Sequence, residues 1–444
     1  MNLELAIVGG GMAGLSAAWA AEELGLNFAL VEASGRFGGS IWTEKIAEDL
    51  VAECGPSSLV PGKVLTKIMN DLSLDVIEAH SSSKGKLVYT KSGFVDISNP
   101  LEIFLKPGFI GIGTKMALLT EILRSFENTG RDISVADFFT RHFTQELVDQ
   151  MVHPMVSGIY AGRVEDLSLP AVFPKIWEWE HEAGSIIRGM LLSFFKPRGG
   201  IRPRRIFTLE GGLAILAQEI ARWVSPENRF LNYKITGITY QDEKWHLHSP
   251  YHPDMIAETL ILAVPPKEAA RLYPPLLGGL DKVVMAPITT FTFWLSKEDC
   301  SDKFNKIMKK GFGFLSAKDA PTRLLGMIFS SGIFPDRAPD DFHAITCFMG
   351  GMTDPEFNPL AIEDQIELAT IEVSKISGCT PELKAFRHWE EAIPQYQLGH
   401  LPLIQGIQEN LPDDLALAGN YLTGVSLEDT AQTGLDAMAK LEFL

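Results

Sequence analysis

The sequence predicts an α/β chain: a discontinuous Rossmann-like dinucleotide-binding domain, a mixed-sheet domain, and a mainly helical insertion. Three observations carry that expectation. The chain opens on a β-α-β pattern with a glycine-rich turn, strand-like runs return near residues 207–266 and 417, and the stretch after the opening unit is apolar with a helical period. At 444 residues the chain is too long for one core; at roughly 150 residues per domain, two or three domains are expected.

Leu5-Ala6-Ile7-Val8 is a short apolar run, as a buried parallel strand requires. It leads into Gly9-Gly10-Gly11-Met12-Ala13-Gly14, a G-x-G-x-x-G. An alanine-rich helix, Leu15 to Leu24, is closed by Gly25, and Phe28-Ala29-Leu30-Val31 makes a second strand ending in Glu32. Gly9 permits the tight turn, Gly11 lets backbone approach a pyrophosphate, and Gly14 lets helix and strand pack closely. The pyrophosphate would sit on unpaired N–H groups at the helix start, where the dipole favours negative charge. Glu32 can accept from both ribose hydroxyls of an adenosine, and it disfavours a 2′-phosphate. A lone G-x-G-x-x-G is weak, but strand, helix, second strand and acidic end within ~30 residues form a specific signal.

The following stretches, Pro100 to Phe126 and Ile133 to Val152, are apolar-rich and helical in period. Gly184 to Arg205 is apolar and basic, with Arg188, Lys196, Arg198, Arg202, Arg204 and Arg205. It reads either as a solvated loop or as a patch facing anionic lipid or substrate carboxylates. Phe207 to Gly212 precedes an amphipathic helix ending near Trp223. Leu231 to Ile238 and Lys244 to His248 look like strands, and Thr259 to Pro266 is a buried strand stopped by prolines. Several β-type runs between Arg271 and about Glu390 form the mixed-sheet domain. Leu417-Ala418-Gly419-Asn420-Tyr421, then Gly424 to Leu427, predict a strand, a glycine turn and a helix from about Leu427.

A formal net charge of -17 argues against nucleic-acid binding, which wants a basic face. Cys54, Cys300, Cys347 and Cys379 are scattered, with no C-x-x-C pair. That spacing fits a reducing compartment and neither a disulfide framework nor a metal site. The most apolar run, Gly108 to Leu119, is cut by Lys115 and is shorter than the ~20 residues of a spanning helix. With a first strand starting by Leu3, no signal peptide is expected ahead of it, and a cytoplasmic chain is anticipated.

Two segments bring a resemblance. Glu32-Ala33-Ser34-Gly35-Arg36-Phe37-Gly38-Gly39 resembles the E-x-x-x-R-x-G-G extension of the FAD-dependent amine oxidase superfamily. Glu53-Cys54-Gly55-Pro56-Ser57-Ser58 resembles its E-x-G-P segment, whose backbone approaches the flavin. Thr259 to Pro266 is similar to its I-x-A-x-P strand. Within the superfamily, Val152 to Gly162, Leu167-Ser168-Leu169, Phe173-Pro174 and Gly184 to Gly189 are similar to the central signature of oxygen-dependent protoporphyrinogen oxidases. Trp389 with Ala392 to His400 is similar to that family's I-P-Q-Y-x-x-G-H, and Ala418 to Val425 to its A-G-N-Y-x-x-G-V. Flavin-type coproporphyrinogen III oxidases share these motifs.

The resemblance implies an FAD-binding domain over 1–60, 205–268 and 400–444, a helical, membrane-facing domain over 61–204, and a substrate domain over 269–399. It places non-covalent FAD against Gly9, Gly10, Gly11, Met12, Ala13 and Gly14, then Glu32, Ala33, Arg36 and Ser40. Gly55, Pro56, Ser57, Ser58, Ile235 and Trp389 follow, with Asn420, Val425, Ser426 and Leu427 at the C-terminal turn. There a helix N-terminus would face the flavin pyrimidine ring. The family often has a larger residue at Ser40, and Asn or Arg at Ser57. A propionate-binding arginine of some members falls on Lys86, which keeps the charge without the bidentate fork. Phe348 is a second substrate candidate, although it and Met349 also read as plain core.

The implied reaction takes hydride from a porphyrinogen methylene to flavin, with dioxygen as acceptor and hydrogen peroxide as product. No catalytic side chain is named, because the flavin does the chemistry. The expected partners are a tetrapyrrole and dioxygen, with no nucleic acid; peripheral membrane contact and a homodimer remain compatible. The strongly acidic chain favours protoporphyrinogen over the more anionic coproporphyrinogen. Amine or polyene oxidation is the alternative, although amine oxidases usually carry G-E where this chain has Gly419-Asn420, and many a flavin-linking cysteine before it. A non-catalytic flavin scaffold is the other, and cofactor signals at both ends of the chain argue against it.

Overall fold

The computed structural model describes residues 2–80, 85–125, 130–195 and 205–444. Two seven-stranded sheets organise the described residues. In the first, Asn2–Val8 lies centrally, parallel to Phe28–Val31 on one side and Met255–Leu262 on the other. Leu5 to Val8 and Phe28 to Val31 are all buried, which explains their unbroken apolar character. Leu415–Leu417 joins Met255–Leu262 in parallel, and Gly237–Gln241 with Lys244–His248 adds an antiparallel hairpin.

Helix Met12–Glu23 is buried from Met12 to Ala21, and its small residues let the C-terminal helix Leu427–Lys440 lie against it. The Ser16 hydroxyl donates to Ala431 O at 2.8 Å. A Cβ on Gly434 would lie 2.2 Å from Ala13 O. The two ends of the chain are therefore packed backbone to backbone.

The strand expected over 231–238 starts only at Gly237. The amides of Asn232 and Tyr233 donate instead to the carbonyls of Ser34 and Glu32. Asn232 and Tyr233 thus bind across the end of the second strand, and Thr236 donates its amide to His248 O before the strand begins.

The second sheet is mixed, in the order Glu382–Pro394, Met285–Ser296, Phe342–Gly350, Gly326–Ile328, Gly313–Ser316, Leu87–Thr90 and Gly93–Asp96. Its last two strands come from the segment read as helical. Each is four residues long, too short for its period to show in the sequence, and Leu87, Val88 and Val95 are held by burial.

The helical layer packs around Phe138, Val148, Val156, Leu167 and Tyr396. The run expected over 100–126 breaks into Pro100–Leu105 and Ile112–Thr120, with Pro107 and Gly108 between them. A π-helical turn, Val148–Val152, leads into His153–Tyr160. Among the described residues no helix is long and apolar enough to cross a membrane. In the basic run, Arg188 donates to Arg124 O at 2.5 Å and Arg205 pairs with Glu78. Lys196, Arg198, Arg202 and Arg204 lie outside the described residues.

Candidate functional site

A cavity of about 690 Å3 opens where the parallel strands end at Val8 and Val31. Ligands in open α/β sheets bind at this position, beyond the carboxyl ends of the strands. The cavity gathers most of the expected residues from four distant parts of the chain. Gly9, Gly10, Gly11, Met12 and Ala13 line one wall, with Glu32, Ala33, Ser40 and Pro56; Ile235, Trp389, Asn420, Val425 and Leu427 complete it.

The glycine turn behaves as its spacing predicts. Gly9 has φ +110°, and a Cβ there would lie 2.3 Å from Ala263 O. A Cβ on Gly14 would lie 1.9 Å from Gly9 O, whereas one on Gly11 would meet nothing within 4 Å. Gly14 is thus a packing residue beneath the turn, and Gly11 borders open space. As N-cap, Gly11 brings no side chain to the first amides of Met12–Glu23, and the first turn has no acidic residue. Uncapped amides and an uncompensated dipole facing a cavity fit a pyrophosphate.

Glu32 is more occupied than the sequence implied. Its carboxylate oxygens accept from the amides of Gly10 and Ser34, both at 2.8 Å. Each oxygen keeps a further lone pair for a ribose hydroxyl.

Other expected residues stand back from the cavity. The Arg36 guanidinium turns inward to the carbonyls of Phe37, Ile41 and Gly39 and stacks 3.9 Å over Trp42, so it braces the loop. Gly55 lets the chain pass under Ser40, where a Cβ would lie 2.0 Å from Ser40 O. Ser57 borders a separate void of about 10 Å3 beside Glu53 and Arg337, and its hydroxyl is buried without a partner. Ser58, half-buried, does not line the cavity. Ser426 caps the C-terminal helix, accepting from the Asp429 amide at 3.1 Å.

The start of that helix borders the cavity through Val425, Leu427 and Thr430. Its first turn carries Glu428 and Asp429, so its positive end is partly compensated by its own side chains. Glu428 in turn accepts from the amides of Val64 and Leu65, capping helix Lys63–Asp71.

Neither substrate candidate reaches this cavity. Lys86 is exposed beside Asp96, whose carboxylate accepts from its amide at 3.3 Å. Phe348 packs half-buried against the cluster of Ala161, Ala286 and Leu325.

Residues not foreseen include Tyr233, Lys234, Lys267, Arg271, Met285 and Tyr421. Lys267 and Arg271 could have been found from their i,i+4 spacing on helix Pro266–Leu272, directly after the buried strand. Both are paired: Lys267 with Glu391 at 2.7 Å, and Arg271 with Glu268 at 2.8 Å.

Behind the cavity, three motifs far apart in sequence interlock. Gln395 Nε2 donates to Tyr160 O at 2.7 Å, and the rings of Tyr160 and Tyr396 lie 5.8 Å apart. The Tyr396 hydroxyl donates to Asn420 O, while its ring stacks on His400 at 4.5 Å. Burial pushes His400 below the usual histidine range, so the neutral ring donates through Nε2 to Tyr421 O at 2.9 Å. The same burial pushes the Tyr160 phenol up to about 12 and Tyr396 further still. The two phenols stay protonated near neutrality, and all of these groups hold backbone in place. Trp389 Nε1 donates to Cys54 O at 2.7 Å, and burial pushes the Cys54 thiol up to about 12.

Residues 12–440 match the profile of the flavin containing amine oxidoreductase family. The chain is 26% identical to protoporphyrinogen oxidase 2, chloroplastic/mitochondrial, of Arabidopsis thaliana, covering 98% of this chain and 92% of that one. It is 25% identical to coproporphyrinogen III oxidase of Bacillus subtilis, covering 95% and 93%. A crystal structure from Exiguobacterium sp. 255-15 has the same fold, with a TM-score of 0.82 at 24% identity over 99% of this chain and 98% of that one. The chain belongs to the flavin containing amine oxidoreductase family: it is an oxidoreductase, and its cofactor is FAD.

Proposed function

Within that family, we propose that this chain oxidises protoporphyrinogen IX to protoporphyrin IX, with dioxygen as acceptor and hydrogen peroxide as product. The observation that carries the reading is the interlock of Tyr160, Gln395, Tyr396, His400 and Asn420. The three segments that resemble porphyrinogen oxidases form one packed unit against the flavin cavity, which their order in sequence does not require. Relatives named for protoporphyrinogen and coproporphyrinogen oxidation match over nearly the whole chain.

Bound FAD supplies the hydride acceptor and the route of electrons to dioxygen. The chain's own part is positioning. The glycine turn and Glu32 hold the nucleotide end, and Trp389 and the Asn420 turn wall the other. The apolar cluster around Ala161, Ala286, Leu325, Phe348 and Ile393 keeps water from the side of the second sheet that faces helix His153–Tyr160.

The reading includes peripheral membrane contact. Leu101, Leu105, Ile112, Met116, Leu119 and Leu123 are exposed, Ile112 by 80% and Leu123 by 82%. The last four recur at helical spacing, giving one apolar face on the helical layer.

Incubation with each porphyrinogen in air tests the reaction. The expected result is fluorescent protoporphyrin with about three peroxides per porphyrin, since three two-electron steps are needed. Faster turnover of coproporphyrinogen III would move the assignment to the sister activity. Oxidation of an amine or polyene, with neither porphyrinogen faster than the enzyme-free control, overturns it.

A further inference from the structure

We propose that Cys300 and Cys379 form an oxidative modification site, a thiol pair that a peroxide converts into an intramolecular disulfide. The proposal is independent of the reaction assigned above. The two sulfurs lie 2.8 Å apart although 79 positions separate them in sequence. They are also the cysteines nearest solvent: Cys300 and Cys379 are 6% and 9% exposed, against 1% for Cys54 and 0% for Cys347.

The backbone is pinned on both sides of the pair. Ser301 donates its amide and its hydroxyl to Ser377 O, at 3.0 and 2.9 Å. Cys300 N donates to Ser296 O at 3.2 Å, and Cys379 N to the Ser377 hydroxyl at 3.3 Å. Gly378 brings the chains close enough that a Cβ there would lie 3.2 Å from Ser301 Cβ. A disulfide has an S–S bond of about 2.05 Å, so about 0.8 Å of sulfur movement closes it. Side-chain rotation supplies that without moving backbone.

The chemistry balances with one peroxide. The Cys379 thiol gives up its proton, and its sulfur attacks a peroxide oxygen; the O–O bond breaks, leaving a sulfenic acid and water. The Cys300 sulfur then displaces the sulfenic oxygen, which leaves as a second water with the Cys300 proton. Two thiols and one hydrogen peroxide become a disulfide and two waters, with two electrons passing from sulfur to oxygen. Cys379, the more exposed of the two, meets the peroxide first, while burial, then the hydrogen bond with Cys379, pushes the Cys300 thiol up and away from direct oxidation. The bond would tie the end of strand Met285–Ser296 to the end of helix Ile362–Ser377, across a long loop. Long loops are those whose closure most restricts the unfolded chain.

The test treats the FAD-loaded protein with a small excess of hydrogen peroxide, then denatures it and counts thiols. Four thiols should fall to two. Peptide mapping should find Cys300 linked to Cys379 with the loss of two hydrogens, and Tm should rise by several degrees, reversed by dithiothreitol. Cys300→Ala should lose at most one of its three thiols under the same dose, as a sulfenic acid at Cys379 that dimedone traps, and show no rise in Tm. The proposal is overturned if four thiols persist in the wild-type protein, if the two cysteines are recovered as separate sulfinic acids, or if Cys300→Ala loses thiols to the same extent. Mapping of the wild-type protein decides the matter without the variant.

Discussion

The nucleotide turn and the helical layer are both buried, yet they are held by opposite means. At the turn, order comes from backbone fit: Gly9, Gly14 and Gly434 let main chains meet where a Cβ would intrude. In the helical layer it comes from a buried ionic cluster. His142 lies between two carboxylates, Nδ1 2.9 Å from Glu121 and Nε2 2.7 Å from Glu180, and these side chains are fully buried. Glu121 also accepts from the Ser185 hydroxyl and the amides of Ile186 and Ile187. One construction is insensitive to pH and intolerant of added atoms. The other depends on its carboxylates keeping their charge.

The sharpest break is at the turn. Gly14→Val sets a side chain against backbone that cannot yield, and folded protein should be lost, as read by soluble yield and circular dichroism. Gly11→Val, three residues earlier, should still fold, with a native circular dichroism spectrum, but lose at least tenfold in bound FAD, read by absorbance after desalting. If both variants fail in the same way, the distinction between packing glycine and ligand glycine is wrong.

The ionic cluster should respond next. Burial alone would raise the Glu121 carboxyl, but hydrogen bonds from His142, Ser185 and the two amides outweigh it and hold it at about 2, against an ordinary 4.5. A carboxyl depressed on folding stabilises the protein above about pH 4.5, and that contribution is lost as pH falls towards 2. The effect is on the order of 3 kcal/mol. Glu121→Gln should flatten the acid limb of a denaturation curve in that window and leave cofactor content alone. An unchanged acid limb would remove the cluster's role.

Smaller effects belong to the surface. Ile112→Glu with Leu123→Glu should change stability by no more than about 0.5 kcal/mol, yet reduce co-sedimentation with anionic vesicles. Equal sedimentation of variant and parent would end the membrane reading. The smallest change is expected for Lys86→Ala, because that side chain is exposed and away from the cavity; KM should stay within about twofold, well under 1 kcal/mol. A clear rise in KM would return Lys86 to the substrate site.

The β-α-β unit, its acidic end and the order of the later motifs were legible from sequence because each rests on short-range period and turn chemistry. Met12–Glu23, Lys244–His248 and Leu427–Lys440 follow their patterns within a few residues. Pairing across long separations was not legible. Two four-residue strands from 87 to 96 enter the second sheet only because Gly313–Ser316 is there to receive them. Arg36 became a loop brace once Gly39, Ile41 and Trp42 folded around it. Cysteines scattered along the chain include two that meet at 2.8 Å. The nucleotide unit was readable because local steric and dipolar rules, contained in one short window of residues, specify its turn, helix and strands. Which charges are buried, which cysteines touch and which candidates face the cavity were settled in the folded chain alone. Those depend on side-chain directions that are set when distant strands and helices pack, and no window of sequence contains them.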